Sequence, residues 1–222
     1  MQYKYELHCH TKEVSRCAQL PAAELVKLYK EQGYDGIVIT DHYSPMTFTF
    51  EKLPCPQKYV GFYTSGYREA LRHAGDDFSV MLGMELRYYA TANDYLVYGI
   101  TEEFLKKNGN LMAKYPKKFY KLAKEHGFIV LQAHPFRPGL IRTAPKHLDG
   151  AEIFNGKATD EQNKKAALWA KENGMKIVSS GSDCHRPANL AKGGIITDTR
   201  IRSNGDLLNV LRRNEYELIE TH

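Results

Sequence analysis

Apolar positions along the 222-residue chain alternate between two periods. Short runs rich in β-branched and aromatic residues predict strands at Tyr3–His10, Gly36–Thr40, Phe78–Glu85, Tyr95–Gly99, Phe128–Leu131, Ala151–Phe154 and Lys176–Ser180. Between them the period lengthens to that of a helix. Leu20-Pro21 opens one that runs to about Gln32, with Leu25, Leu28 and Tyr29 on one face and Gly33 as its stop. Further helices are predicted over Val60–Ala74, Pro116–His126 and, capped by Thr159 or Asp160, up to Asn173. The tail carries a helix near Gly205–Asn214 and a short strand at Tyr216–Ile219. Continuous β-branched runs such as Gly36-Ile37-Val38-Ile39-Thr40 suit strands covered on both faces. Alternating strands and helices predict a parallel sheet, closed into a barrel in preference to an open doubly wound sheet. No GxGxxG follows the first strand, so a dinucleotide site has no support. Tyr43–Lys58, with three prolines and two phenylalanines, reads as a long functional or mobile loop.

Composition alters this picture little. Hydrophobic residues make up 42% and charged residues 26%, an ordinary globular balance that can bury a core without a disulfide or zinc staple. No linker, repeat or low-complexity segment divides the chain, so residues 1–222 are expected to form a single domain. The net charge of +5, from 31 basic and 26 acidic residues, suits an anionic substrate. It is too mild to argue for nucleic acid. Cys9, Cys17, Cys55 and Cys184 show no CxxC pairing and read as reduced thiols of a cytoplasmic protein. The chain enters strand-like sequence at once, with no leader pattern. No apolar run is long enough to span a membrane, so no membrane partner is expected. The oligomeric state is left open.

The chemistry lies at strand ends. His8 and His10 are two apart on the first strand, so both imidazoles share one face. Asp41-His42 closes the second strand, and Glu85 ends the third after Val80-Met81-Leu82. His134-Pro135 follows Leu131-Gln132-Ala133, and Asp183-Cys184-His185 follows Val178-Ser179-Ser180-Gly181. Taken singly, each has a bland alternative as a polar strand or turn residue. Together they gather at the end of a parallel α/β fold where active sites are built. A glutamate such as Glu85 is costly to bury unless it is paired or bound to metal. Mixed imidazole and carboxylate donors suit Zn, Mn or Fe. Arg137 follows the His134-Pro135 pair and could clasp a phosphate, with Arg142 and Arg186 as weaker candidates. Phe48 and Phe50 could meet the organic part of a substrate. His73, His126, His147 and His222 read as surface residues, and Lys106-Lys107 and Lys117-Lys118 as solvated faces.

His8-Cys9-His10-Thr11, Thr40-Asp41-His42, Gly83-Met84-Glu85, His134-Pro135 and Ser182-Asp183-Cys184-His185 resemble, in order, the motifs of the PHP (polymerase and histidinol phosphatase) domain family. The resemblance extends from residue 1 to about residue 190. It implies a distorted (β/α)7 barrel holding two or three divalent metal ions. His8, His10, Glu85 and Asp183 would hold one ion, Glu85 and His134 a second, and His42 and His185 a third. Many members carry a His or Asp in the loop after the first strand. Here Glu13 or Cys17 could replace it, and Glu13 is preferred as a hard oxygen ligand. Some members also carry a His after the fourth strand, which Gly99-Ile100-Thr101 lacks. Asp94 is not expected to replace it, because it precedes that strand and should face the opposite end of the barrel.

The family includes phosphatases and nucleases. The function expected here is hydrolysis of a small phosphomonoester through a metal-activated hydroxide. Arg137 would balance charge on the phosphoryl oxygens, and Asp41 or His185 would supply a proton to the leaving group. A nuclease acting on nucleic acid is the rival enzyme, and a non-catalytic metal-binding module the rival outside catalysis. The mild charge argues against the first. The intact ligand set argues against the second.

Overall fold

The computed structural model describes residues 1–53 and 56–221. Pro54, Cys55 and His222 lie outside the described residues, as do the side chains of Phe50, Pro56 and Gln57. The strands are β1 (Tyr3–Cys9), β2 (Gly36–Ile39), β3 (His42–Tyr43), β4 (Ser79–Arg87), β5 (Asp94–Tyr98), β6 (Ile129–Gln132), β7 (Gly150–Asn155), β8 (Ile177–Gly181), β9 (Gly193–Thr197) and β10 (Glu217–Glu220). The helices are α1 (Ala22–Glu31), α2 (Pro45–Phe50), α3 (Val60–Tyr63), α4 (Ser65–Ala74), α5 (Glu102–Lys107), α6 (Tyr115–Glu125), α7 (Asp160–Glu172) and α8 (Asn204–Arg213).

The strands form one sheet in the order β10-β9-β1-β2-β4-β5-β6-β7-β8, with β3 added beside β4. The ends of this order meet. The His10 N–H donates to the Cys184 carbonyl at 3.0 Å, and the Cys184 N–H to the His8 carbonyl at 3.2 Å. This seam nearly closes the sheet into the expected distorted barrel. It needs bare backbone, since a Cβ on Gly181 would come within 2.4 Å of the His8 Cβ.

The expectation of a wholly parallel sheet is corrected. β5 runs antiparallel to both β4 and β6. Residues 88–93 alone separate β4 from β5, and so short a connection permits only an antiparallel return. β9 is antiparallel to β1 and β10 to β9. β9 and α5 have no counterpart among the predicted elements. The predicted loop contains β3 and α2, whose N-cap Ser44 accepts the Thr47 N–H ahead of a proline-led first turn. The predicted helix over Val60–Ala74 divides at Thr64, whose hydroxyl donates to the Val60 carbonyl at 2.8 Å. A capping box of Thr159 and Gln162 starts α7, in agreement with the sequence.

Packing fixes which end is free for chemistry. Cys9, Ile37 and Ile39 pack with Leu25 and Tyr29 of α1 and Ala70 of α4. Leu7, Val38, Met81, Leu96 and Leu131 pack with Leu207 and Leu211 of α8. Arg212 of α8 also bonds the Gly127 carbonyl, just before β6. α8 therefore seals the end where the parallel strands begin, leaving their C-terminal end open.

Candidate metal centre

His8 and His10 leave β1 on one face, and both are fully buried. The Nδ1 of His8 lies 2.7 Å from Glu152 Oε1, and that of His10 lies 3.2 Å from the Ser15 hydroxyl. These contacts turn each Nε2 inward, where neither has a hydrogen-bond partner. Glu85, near the end of β4, stands between the rings. Its Oε1 lies 3.5 Å from His8 Nε2 and 3.0 Å from His134 Nε2. Its Oε2 lies 3.4 Å from His10 Nε2 and 2.6 Å from His42 Nδ1. Asp183 brings Oδ1 within 3.7 Å of His8 Nε2, 3.5 Å of His10 Nε2 and 3.1 Å of His185 Nδ1. His134 and Asp183 hold positive φ values of 28° and 49°. Strained backbone of this kind persists where the surroundings force it, commonly at functional sites.

Four overlapping trios each bring three ligand atoms within 4.8 Å of one another: His8/His10/Glu85, His8/His134/Asp183, Glu85/Asp94/His134 and His10/His42/His185. The donor set fits metal ions on electrostatic grounds too. Burial would raise Glu85, but the charges of His42 and His8 and the bond to His134 hold it well below the usual carboxylate range. Burial likewise opposes ionisation of Asp183, and His8, His10 and His185 overcome it, again to well below that range. Burial resists charge on His8, yet Glu152, Asp183 and Glu85 carry its pKa well above the ordinary histidine value. His10 goes the other way: burial, then His185 and His42, push it well below. A neutral imidazole whose Nε2 faces two carboxylates calls for a cation other than a proton.

Asp94 corrects the sequence reading. Because β5 is antiparallel, its first residue reaches the end where the other strands finish. Asp94 is fully buried there, with Oδ2 3.9 Å from His134 Nε2. Arg87 donates to both its oxygens at 2.6 Å, and Arg137 to Oδ2 at 2.9 Å. Glu13 is not brought to the cluster. Its carboxylate accepts the Ala22 N–H at 3.0 and 3.1 Å, capping the start of α1. Cys17, the alternative, lines the cavity at the site mouth together with His42 and His185. Burial raises its thiol, but His185 and His42 outweigh it and bring it down to about 6.

Asp41 sits beneath the site, with its carboxylate taken up. It accepts the Thr11 N–H and Ser15 O–H at 2.7 Å and the Thr11 O–H at 2.6 Å. Burial pushes it up to about 6 against these bonds. Asp41 is thus the anchor of the 11–15 loop and not a proton donor at the pocket.

Two buried acids went unread in the sequence. Glu152 bonds His8, the His134 N–H at 2.8 Å and Asn155 Nδ2 at 3.0 Å. Glu6 accepts the N–H groups of Leu7, His8 and Ser182 and the hydroxyls of Tyr29 and Ser182, tying β1 to the segment that presents Asp183. Burial pushes Glu6 up to about 7 against these donors. Both carry the signal that exposed Glu85: an acid inside an apolar strand.

Above the cluster opens a cavity of about 450 Å³, lined by His42, Arg87, Arg137, Lys157, Asp183 and His185 among others. The Lys157 ammonium lies 3.4 Å from Asp183 Oδ2 and 3.3 Å from His185 Nδ1. α2 contributes Met46 and Thr47 to the rim. Phe48 does not face the cavity; it is buried against Tyr43, with centroids 4.9 Å apart. Phe50, the other aromatic candidate, has its side chain outside the described residues. Arg186 lines the cavity, whereas Arg142 lies over the Phe136 ring, 5.2 Å from its centroid.

Residues 6–185 match the PHP domain family, and residues 160–216 the PHP-associated family. The chain belongs to the PHP domain family. Its fold is that of the PHP-like metal-dependent phosphoesterases. PsfC from Pseudomonas syringae superposes with a TM-score of 0.73 at 16% identity, over 99% of this chain and 92% of that one. A two-domain Bacteroides vulgatus protein, described as containing a predicted PHP-like metal-dependent phosphoesterase, gives 0.68 at 16% identity, over 100% of this chain and 65% of that one. The lesion-specific endonuclease PfuEndoQ from Pyrococcus furiosus gives 0.65 at 14% identity, over 98% and 58%. No curated protein matches the sequence.

Proposed function

We propose that the protein is a metal-dependent phosphoesterase that hydrolyses a small phosphomonoester. The observation that carries this reading is one buried carboxylate, Glu85, facing four imidazoles below a cavity lined with Arg87, Arg137 and Lys157. His8, His10, Glu85 and Asp183 would hold one ion, Glu85 and His134 with Asp94 a second, and His42 and His185 a third. Zinc, manganese or iron suits these donors. When bound, such ions polarise a phosphoryl oxygen and lower the pKa of water. The protein's own groups do the rest. Arg137 and Arg87 present guanidinium N–H groups to the equatorial oxygens of the phosphate. Lys157 adds positive charge beside the leaving oxygen. His185 is turned into the cluster, with Nδ1 against Asp183 and Nε2 against His42, so its work is positioning and metal binding.

A cavity of this volume suits a small ligand better than a polynucleotide. One continuous sheet supports reading the chain as a single domain. Among the described residues no helix is long and apolar enough to cross a membrane, and we place the protein in the cytoplasm. The test is a panel of phosphomonoesters beside a single-stranded oligonucleotide, with metal-reconstituted protein. Monoester turnover abolished by chelator is expected. Cleavage of the oligonucleotide with no monoester turned over would sink the assignment.

A further inference from the structure

We propose that the substrate is a small phosphomonoester carrying a second anionic group, and that Arg186, with Arg16 and Asn189 beside it, receives that group across the cavity from Arg87 and Arg137. The inference rests on the phosphomonoester reading above and names the class of substrate.

The cavity holds more positive charge than one phosphate requires, and the fold sets it at two poles. Five lining side chains are cationic, Arg16, Arg87, Arg137, Lys157 and Arg186, against one carboxylate, Asp183. Arg87 ends β4 and Arg137 follows β6, and both donate to Asp94 at the start of β5. Arg186 follows β8 and Arg16 follows β1. In the sheet order β5 is the middle one of the seven strands from β1 to β8, so the seam where β8 meets β1 lies across the barrel from it.

The pole at the seam is held in place. The Gln19 N–H donates to the His185 carbonyl at 2.7 Å, which fastens the segment carrying Arg16 to the one carrying Arg186. Arg186 has extended backbone before Pro187, and its carbonyl accepts the Asn189 N–H at 2.9 Å. Its guanidinium has no acceptor among the described residues. Arg16 pairs with Glu51 at 3.6 Å, but both side chains stand largely in water, where such a pair is weak and yields to a better acceptor. Asn189 is an independent sign of a ligand. It is 6% exposed and lines the cavity, yet its Oδ1 has no hydrogen-bond partner. Buried amides are normally satisfied, and by turning over this one presents NH2 donors to an anionic oxygen.

A path between the poles matches the reaction. Lys157, beside the leaving oxygen, sets its ammonium 3.3 Å from Nδ1 of His185, whose next residue is Arg186. A phosphate held at Arg87 and Arg137 therefore directs its leaving group toward the seam. Met46, exposed on α2, lines the same cavity and offers an apolar contact to a short carbon skeleton. The one lining carboxylate, Asp183, is already offset by Lys157 at 3.4 Å, so a cationic tail finds no partner.

The experiment compares kcat/KM of metal-reconstituted protein on four three-carbon monoesters: propyl phosphate and its analogues ending in a carboxylate, a second phosphate or an amine. One charge-assisted contact predicts a preference of about tenfold to a hundredfold for an anionic end over propyl phosphate, after the factor of two for the equivalent ends of the bisphosphate. Which anionic end gains more identifies the group as carboxylate or phosphate. The amine should do no better than propyl phosphate, which separates charge from size. In Arg186→Ala the ratio of anionic-ended substrate to propyl phosphate should collapse toward one, and Arg186→Lys should restore part of it. Arg137→Ala should lower all four rates and leave the ratio standing. A wild type without the preference, an amine favoured as much as a carboxylate, or a ratio that survives in Arg186→Ala overturns the proposal and leaves the phosphatase reading in place. A wild type that turns over none of the four, yet cleaves an oligonucleotide, overturns the phosphomonoester reading itself.

Discussion

The floor and the mouth of the site use the same residue types under opposite constraints. On the floor, the side chains of His8, His10, Glu85, His134 and Asp183 are at most 4% exposed. His8 and His10 are each locked through Nδ1 by a buried partner, Glu152 or Ser15. At the mouth, the side chains of His42, Lys157 and Arg137 are 18%, 36% and 39% exposed. Charge interactions are strong where water is excluded and weak where it enters. On the proposed reading the floor would contribute most to holding metal, and the mouth to receiving an anion. Substitutions on the two levels should separate these properties.

The largest effect is expected from Glu85→Gln. It keeps the shape and removes the one charge that all four imidazoles share. Several kcal/mol of transition-state stabilisation depends on bound metal, so activity should fall by about a thousandfold or more. Elemental analysis should show metal lost in step. If Glu85→Gln retained its full metal content, the floor would not be the metal site. Next comes Glu152→Gln, which touches no substrate and loosens the hold on His8 and His134. Such outer partners are worth about tenfold to a hundredfold in metal affinity. Competition with a chelator dye measures this, and an unchanged affinity would reduce Glu152 to a packing residue.

The same division explains what was legible in the sequence. His8 and His10, His42, Glu85, His134, and Asp183 and His185 were visible because their placement is local: a strand, its end, and a spacing of two. Asp94 was misplaced because strand direction is a tertiary property. A fourth strand in a βα repeat would present its C-terminal end, and only the short 88–93 connection reveals the reversal. Glu152 and Glu6 were readable as acids in apolar strands and were passed over. Glu13 is preferred to Cys17 on ligand hardness in the sequence, yet its carboxylate is spent on the Ala22 N–H at the start of α1. Which of them faces the cluster depends on how the 11–20 segment folds against Asp41 and His185. Phe48 failed for a related reason: the predicted loop forms α2, and helical geometry turns that ring into the core.

The smallest effect, and the sharpest test of the mouth, is Arg137→Ala. Its guanidinium lines the cavity and cannot ligate metal, so bound metal should stay at the wild-type level. A charge-assisted contact to phosphate is worth roughly 1.5–3 kcal/mol. Two features of this site pull the value to the lower end. The side chain is 39% exposed, and Asp94 already offsets part of its charge at 2.9 Å. kcat/KM should therefore drop by about tenfold, and the deficit should narrow as salt screens the wild-type attraction. Asp94 keeps its two-pronged bond from Arg87 in the variant, so the floor beneath should not collapse. Steady-state kinetics at low and high ionic strength, beside elemental analysis, reads both levels at once. Metal lost together with activity would show that Arg137 supports the floor through Asp94. Full kcat/KM on every cleaved substrate would remove it from anion binding altogether.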